Sequence, residues 1–142
     1  MKEPKAKLLV IDDDVGVRES FRALLGEAYD VILASGAEEA FPIVKTGQVD
    51  VIALDIWMPG MDGLELLRCL KRFAPDTEVF LVTGSPSMET AIDAIGQGAY
   101  AYVVKPFDRT QVQEVVEKGL TRRLQNKLER NALGELRLLK WA

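Results

Sequence analysis

This 142-residue sequence predicts an α/β fold, a parallel sheet covered by helices on both faces, on the strength of three observations. Short apolar runs of four or five residues, rich in β-branched and aromatic types, recur along the chain, as expected of strands buried on both faces. Stretches of helical length, with apolar residues three and four apart, separate them. The order is strand then helix, five times over, which gives parallel strands joined by right-handed crossovers.

The first strand is predicted over 8–11. The helix after it spans 15–25, with Val17, Phe21, Leu24 and Leu25 on one face and Asp14 as its cap. Residues 31–34 give the second strand and 37–44 the second helix, carrying Ala40, Phe41 and Val44. Pro42 inside that helix is tolerable near a first turn, whereas deeper in it would kink the helix. The third strand, 51–54, precedes a helix over 63–73 with Leu66, Leu67 and Leu70 on its apolar face. The fourth strand is 79–82 and its helix 88–95, through Ala91, Ile92 and Ile95. The fifth strand is 100–104, and a last helix begins near Asp108, its N-cap. No Gly/Ser linker or internal repeat divides the chain, so a body over 1–118 and a helical extension over 119–142 are expected.

Composition narrows the chemistry. A chain of this length buries roughly 68–70% of its unfolded surface, and at 48% apolar and 28% charged residues it is too apolar for a disordered protein. The one cysteine, Cys69, forms no internal disulfide and fits a reducing compartment. The absence of histidine removes Ser-His-Asp and Cys-His catalysis, histidine-bound zinc or haem, and any phosphohistidine carried by this chain. The basic first seven residues are followed by only four apolar ones before three aspartates, too few for a signal peptide. With no apolar run near the roughly 20 residues a membrane span needs, the cytoplasm is the expected location. Charge is uneven: residues 1–118 hold 12 Lys/Arg against 20 Asp/Glu, a balance of −8, and residues 119–142 hold 6 against 2, a balance of +4.

In open α/β sheets ligands sit beyond the carboxyl ends of the strands. Here those ends carry Asp12, Asp13 and Asp14 after the first strand, Asp55 after the third, Thr83, Gly84 and Ser85 after the fourth, and Lys105 and Pro106 after the fifth. Singly, such residues punctuate loops and cap helices; together they bring acids, a hydroxyl and a lysine to one rim. Converging carboxylates call for a cation, and oxygen-only ligands select a hard one such as Mg²⁺. With Lys105 to pair a phosphate oxygen, Thr83 to donate a hydroxyl and Asp55 as a carboxylate nucleophile, the rim holds the parts of phosphoryl transfer.

The motifs Val10-Ile-Asp-Asp-Asp14, Leu54-Asp-Ile-Trp-Met-Pro-Gly-Met-Asp-Gly63, Leu81-Val-Thr-Gly84 and Val103-Val-Lys-Pro-Phe107 resemble those of bacterial response-regulator receiver domains, in that family's order and spacing across residues 7–118. The resemblance implies a flavodoxin-like three-layer (βα)5 fold, strand order 2-1-3-4-5, with an extended C-terminal helix. It implies that Asp55 accepts a phosphoryl group from the phosphohistidine of a sensor histidine kinase. Asp13, Asp55 and the backbone carbonyl of Trp57 would ligate Mg²⁺, with Asp12 acting mostly through water. Lys105 would bind the phosphate ahead of a cis peptide to Pro106, with Gly84 as a small neighbour, while Thr83 swings toward the phosphate and Tyr102 rotates inward with it. Tyr102 has a plainer reading as a half-buried strand aromatic. The chain would then be a signalling domain that catalyses only its own phosphorylation and dephosphorylation. Its switching face would be helix four, strand five and helix five, including Met88, Ala91, Ile95, Tyr100 and Tyr102. Having no histidine, it would take its phosphoryl group from another protein or a small acyl phosphate.

Trp57, two residues past the acceptor, either shields an acyl phosphate from water or packs loosely over its loop. The extension places Leu120, Leu124, Leu128, Ala132, Leu136 and Leu139 at mostly four-residue steps, interrupted by Gly119 and Gly134. It reads either as a helix joining a receiver to an output domain and pairing with its copy, or as a frayed end. A homodimer is expected through that helix or the switching face. With Trp141 its one aromatic, the tail is not expected to bind DNA. The stretch 83–100 is similar to receivers of alternative-sigma-factor activators. Two other functions stay open: a haloacid-dehalogenase-type phosphatase, which would want a second acid where Trp57 stands, and a phosphate-independent docking module.

Overall fold

The computed structural model describes residues 4–141, with their side chains apart from those of Met61 and of 137–141, so Leu139 and Trp141 lie outside the described side chains. Its elements are β1 (Lys7–Ile11), α1 (Val15–Leu25), β2 (Asp30–Ala34), α2 (Ala37–Val44), β3 (Val51–Asp55), β4 (Trp57–Met58), β5 (Met61–Asp62), α3 (Gly63–Phe73), β6 (Glu78–Thr83), α4 (Met88–Gly96), β7 (Ala101–Val104) and α5 (Arg109–Trp141). Five strands form one parallel sheet in the order β2-β1-β3-β6-β7. That is the expected 2-1-3-4-5, because β4 and β5 make a separate two-stranded hairpin. The hairpin was not foreseen: two-residue strands carry no readable period.

The alternation of strand side chains sorts the core into two layers. Leu9 and Ile11 of β1, Ile52 and Leu54 of β3, and Val79 and Leu81 of β6 pack with Ala40, Leu67, Leu70 and Ala94 on the side of α2, α3 and α4. The intervening residues Leu8, Val10, Val51, Ala53, Phe80 and Val82 pack with Phe21, Leu25, Val112 and Val116 of α1 and α5. Each fully buried large aliphatic side chain contributes roughly 1.5–3 kcal/mol. Because β1, β3 and β6 are covered on both faces, their carboxyl ends are held rigidly side by side, which matters for the charges they carry.

The helices start and stop for local reasons. Asp14 caps α1 through the amides of Gly16 and Val17, Asp62 caps α3 through Leu64 and Glu65, and Ser87 caps α4 through Thr90. Asp108 accepts from the Gln111 amide at the start of α5. Pro42 lies in the second half of the eight-residue α2, which ends two residues later. Helix α5 runs straight through Gly119, whose lack of a side chain has a packing cause: a Cβ there would stand 2.4 Å from the Tyr100 hydroxyl. Among the described residues no helix is long and apolar enough to cross a membrane.

Gly63 is the tightest such position. A Cβ on it would lie 2.3 Å from Cα of Ile56, the residue after Asp55. Gly63→Ala is therefore expected to destabilise the chain by about 2–3 kcal/mol, through overpacking against backbone that cannot yield. Gly134→Ala, with open space around it, should stabilise by about 0.5–1 kcal/mol. Urea unfolding midpoints at unchanged slope would measure both.

Candidate functional site

Three acids and a lysine meet at the carboxyl ends of the sheet strands. Oxygens of Asp12, Asp13 and Asp55 all lie within 4.8 Å of one another, with Asp12 and Asp55 buried and Asp13 exposed. Asp12 follows β1 and Asp55 ends β3, neighbouring parallel strands in register from Leu8 opposite Val51 to Ile11 opposite Leu54, so pairing alone brings the two side by side. Lys105 Nζ stands 3.0 Å from Asp12 Oδ2 and 3.6 Å from Asp55 Oδ2. It is aimed there by the loop after β7, where the Lys105–Pro106 peptide is cis and the Lys105 amide donates to the Thr83 carbonyl at 2.8 Å.

Backbone donors hold the acids in orientation. Asp12 Oδ1 accepts from the Asp14 amide at 2.9 Å, and Asp55 Oδ1 accepts from the Trp57 amide at 3.0 Å. Arg18 Nη1 donates to the Asp12 carbonyl at 2.7 Å, a contact the sequence did not announce. Burial pushes the Asp55 carboxyl above its ordinary value; the Trp57 amide pulls it back, while the charge of Asp12 raises it, that of Lys105 lowers it and that of Asp13 raises it. Lys105 is pulled down by burial, but its hydrogen bond and attraction to Asp12, then the charge of Asp55, outweigh that and hold it above the usual lysine value. Among the described residues, Lys105 thus pairs with two of the three clustered carboxylates. An all-oxygen donor set of this kind fits a hard divalent cation.

The other expected site residues lie around this core. Thr83, fully buried at the end of β6, uses its hydroxyl to accept from the Ser85 amide at 3.0 Å. Gly84 lies beside the Lys105 side chain, where an added Cβ would make ordinary contact with it at 3.9 Å. Trp57 exposes 59% of its surface, and its amide, as noted, holds Asp55. The Tyr102 hydroxyl accepts from the Ser87 amide at 3.4 Å, at the head of α4. Asp14 only caps α1. Of the side chains expected on the switching face, Met88 and Ile95 are exposed, whereas Tyr100 is held against α5, donating to the Val115 carbonyl at 2.7 Å.

The doubly wound parallel sheet is of flavodoxin-like fold, with this acidic cluster and lysine on its carboxyl edge. The chain belongs to the response regulator receiver domain family, whose model matches residues 8–117. The Transcriptional regulatory protein ZraR of Salmonella typhimurium is 37% identical over 117 residues, which cover 82% of this chain and 26% of ZraR. The crystal structure of NtrX from Brucella abortus in complex with ADP superposes with a TM-score of 0.81 at 32% identity, over 88% of this chain and 29% of that one. The beryllofluoride-activated NtrC4 receiver domain dimer gives 0.77 at 33%, over 82% of this chain and 98% of that one. The chain spans about a quarter of the length of the curated relatives it matches. Their kind accords with the similarity to activator receivers read from residues 83–100.

Because the Asp55 carboxyl is held above its ordinary value near 3.8, its charge costs stability above the raised value, and that cost vanishes below the ordinary one. In metal-free buffer at neutral pH, Asp55→Asn is expected to raise the thermal midpoint. The advantage should fade as pH falls through the ordinary carboxyl range, read by calorimetry across pH.

Proposed function

We propose that the chain is the phosphoacceptor switch of a two-component phosphorelay, with Asp55 as acceptor and a histidine kinase as donor. One observation carries this reading: Asp12, Asp13 and Asp55 bring oxygens within 4.8 Å of one another, under a lysine that reaches two of them. Asp55 Oδ2 takes no backbone hydrogen bond among the described contacts and, beside Lys105, is the nucleophile. It attacks phosphorus in line, the phosphorus–nitrogen bond of the donor phosphohistidine breaks, and the imidazole leaves with the electron pair. Mg²⁺ held by Asp13, Asp55 and the Trp57 carbonyl, with Asp12 through water, would neutralise charge on the transferring group. Lys105, already drawn between Asp12 and Asp55, turns its charge to a phosphate oxygen.

The product carries about −1.5 to −2 added charges and three acceptor oxygens. Thr83 and Tyr102 then have new options. The Thr83 hydroxyl can donate a hydrogen bond to the phosphate, shifting the loop that reaches Ser85, and Tyr102 can leave the head of α4. Residues 1–118 act as the receiver and 119–142 as the connecting helix, signalling to a transcription-regulating output or partner. Exposed Met88, Ile92 and Ile95 on α4, with Val104 of β7, provide a surface for that partner or a second copy.

Mass spectrometry after incubation with a small acyl phosphate and Mg²⁺ tests this. One added phosphoryl group is expected on the wild type, and none on Asp55→Asn or with a chelator present. Equal labelling of the Asn variant would refute the assignment, and binding of a partner that ignores Asp55 would favour a docking module instead. The phosphatase reading is disfavoured by the indole at Trp57 in place of a second acid. With its indole exposed at the rim, Trp57 shields the acyl phosphate from water in this reading. Trp57→Asn should shorten the lifetime of the purified phosphoprotein severalfold; an unchanged lifetime would leave Trp57 a packing residue of its loop.

A further inference from the structure

The opposite, amino-terminal edge of the sheet also carries acids, but these are met by the protein's own cations. Asp50 precedes β3, Asp76 precedes β6 and Glu78 begins β6. On α5, Arg122, Arg123, Asn126 and Arg130 fall at helical spacing on one side. Glu78 is 2% exposed, and both its oxygens are taken by that helix: Oε2 by Arg122 Nε at 3.3 Å and Oε1 by Asn126 Nδ2 at 3.1 Å. Arg123 pairs with Asp50 at 3.1 Å and donates to the Asp76 carbonyl at 2.8 Å. Asp50 in turn accepts from the Lys7 amide at 2.8 Å, so one carboxylate joins β1, the lead-in to β3 and α5. Arg130 reaches Asp76 at 2.7 Å. Just above, the Tyr100 ring fills the space left by Gly119, beneath the Arg122 guanidinium 5.7 Å from its centroid. Leu124 and Leu128, exposed, lie on the helix side away from these contacts.

We propose that these contacts form a charge clamp fixing residues 119–130 of α5 to the amino-terminal edge of the sheet, so that the helix leaves the body as a rigid lever in one set direction. The strongest link is the Glu78 carboxylate, which without Arg122 and Asn126 would be buried with no partner among the described side-chain hydrogen bonds. Arg130 and Asp76, both half-exposed, add a weaker, salt-screened tie. Tyr100 immediately precedes β7, the strand that leads to Lys105, so a shift of that strand is passed to the helix at Val115 and Gly119.

Amide hydrogen exchange on the whole chain, read peptide by peptide, tests the clamp. In the wild type, 119–130 is expected to be protected as strongly as 109–118. Arg122→Gln should speed exchange over 119–130 by about tenfold or more while leaving β1 and β3 unchanged. The double variant Arg123→Gln/Arg130→Gln leaves the buried Glu78 pair intact, so it keeps the question answerable if Arg122→Gln fails to fold, and it should speed the same stretch severalfold. Lys127→Gln removes one charge from the same helix but no ion pair among the described residues, and should change nothing. Free exchange of 119–130 in the wild type, or equal exchange in the paired variants and Lys127→Gln, would overturn the clamp.

Discussion

Three carboxylates against one lysine, gathered at the carboxyl ends of parallel strands, set the terms for the rest of this molecule. Asp12 and Asp55 lie side by side and buried, with Lys105 near both and amides fixing their far oxygens. Such a cluster is costly to assemble and leaves negative charge unmatched. A rigid sheet buried on both faces bears that cost, and the unmatched negative charge favours a bound cation.

The two edges of the sheet solve the same electrostatic problem in opposite ways. At the amino-terminal edge, Asp50, Asp76 and Glu78 are answered within the chain by Arg122, Arg123 and Arg130. At the carboxyl edge, Lys105 faces Asp12 and Asp55 with Asp13 beside them, and negative charge stays in excess among the described residues. The uneven charge of the sequence, acidic body and basic tail, is in part the linear image of this arrangement, since Arg122, Arg123 and Arg130 of the tail are directed at the body.

Around the acidic cluster, a short hairpin and the loop before α4 carry the neighbouring side chains. The hairpin of β4 and β5 carries Trp57 outward while Gly63 presses the following helix onto Ile56. Thr83 and Tyr102 both spend their hydroxyls on amides at the entrance to α4, at Ser85 and Ser87, rather than on the acids. A single loop, 83–87, is therefore tied to two side chains that a phosphate could recruit. The same loop leads into α4 and its exposed Met88, Ile92 and Ile95.

The alternation of apolar runs and amphipathic stretches was enough to place the five sheet strands and five helices, nearly to the residue, and to mark Asp14 as a cap. Those features depend on neighbours within a turn or two, and local sterics and burial decide them. The acids and lysine were legible because each ends an apolar run, and parallel winding sends every such end to one rim. What the linear pattern could not disclose were contacts between residues far apart: Arg18 on the Asp12 carbonyl, Gly63 beneath Ile56, Tyr100 over Gly119, and Glu78 held by a helix 44 residues on. Gly119 and Gly134 look alike in sequence, as interruptions of a helix, yet one accommodates a tyrosine and the other faces open space. That difference exists only once the sheet and helix are packed, because it is set by which distant atoms occupy the space where a Cβ would be.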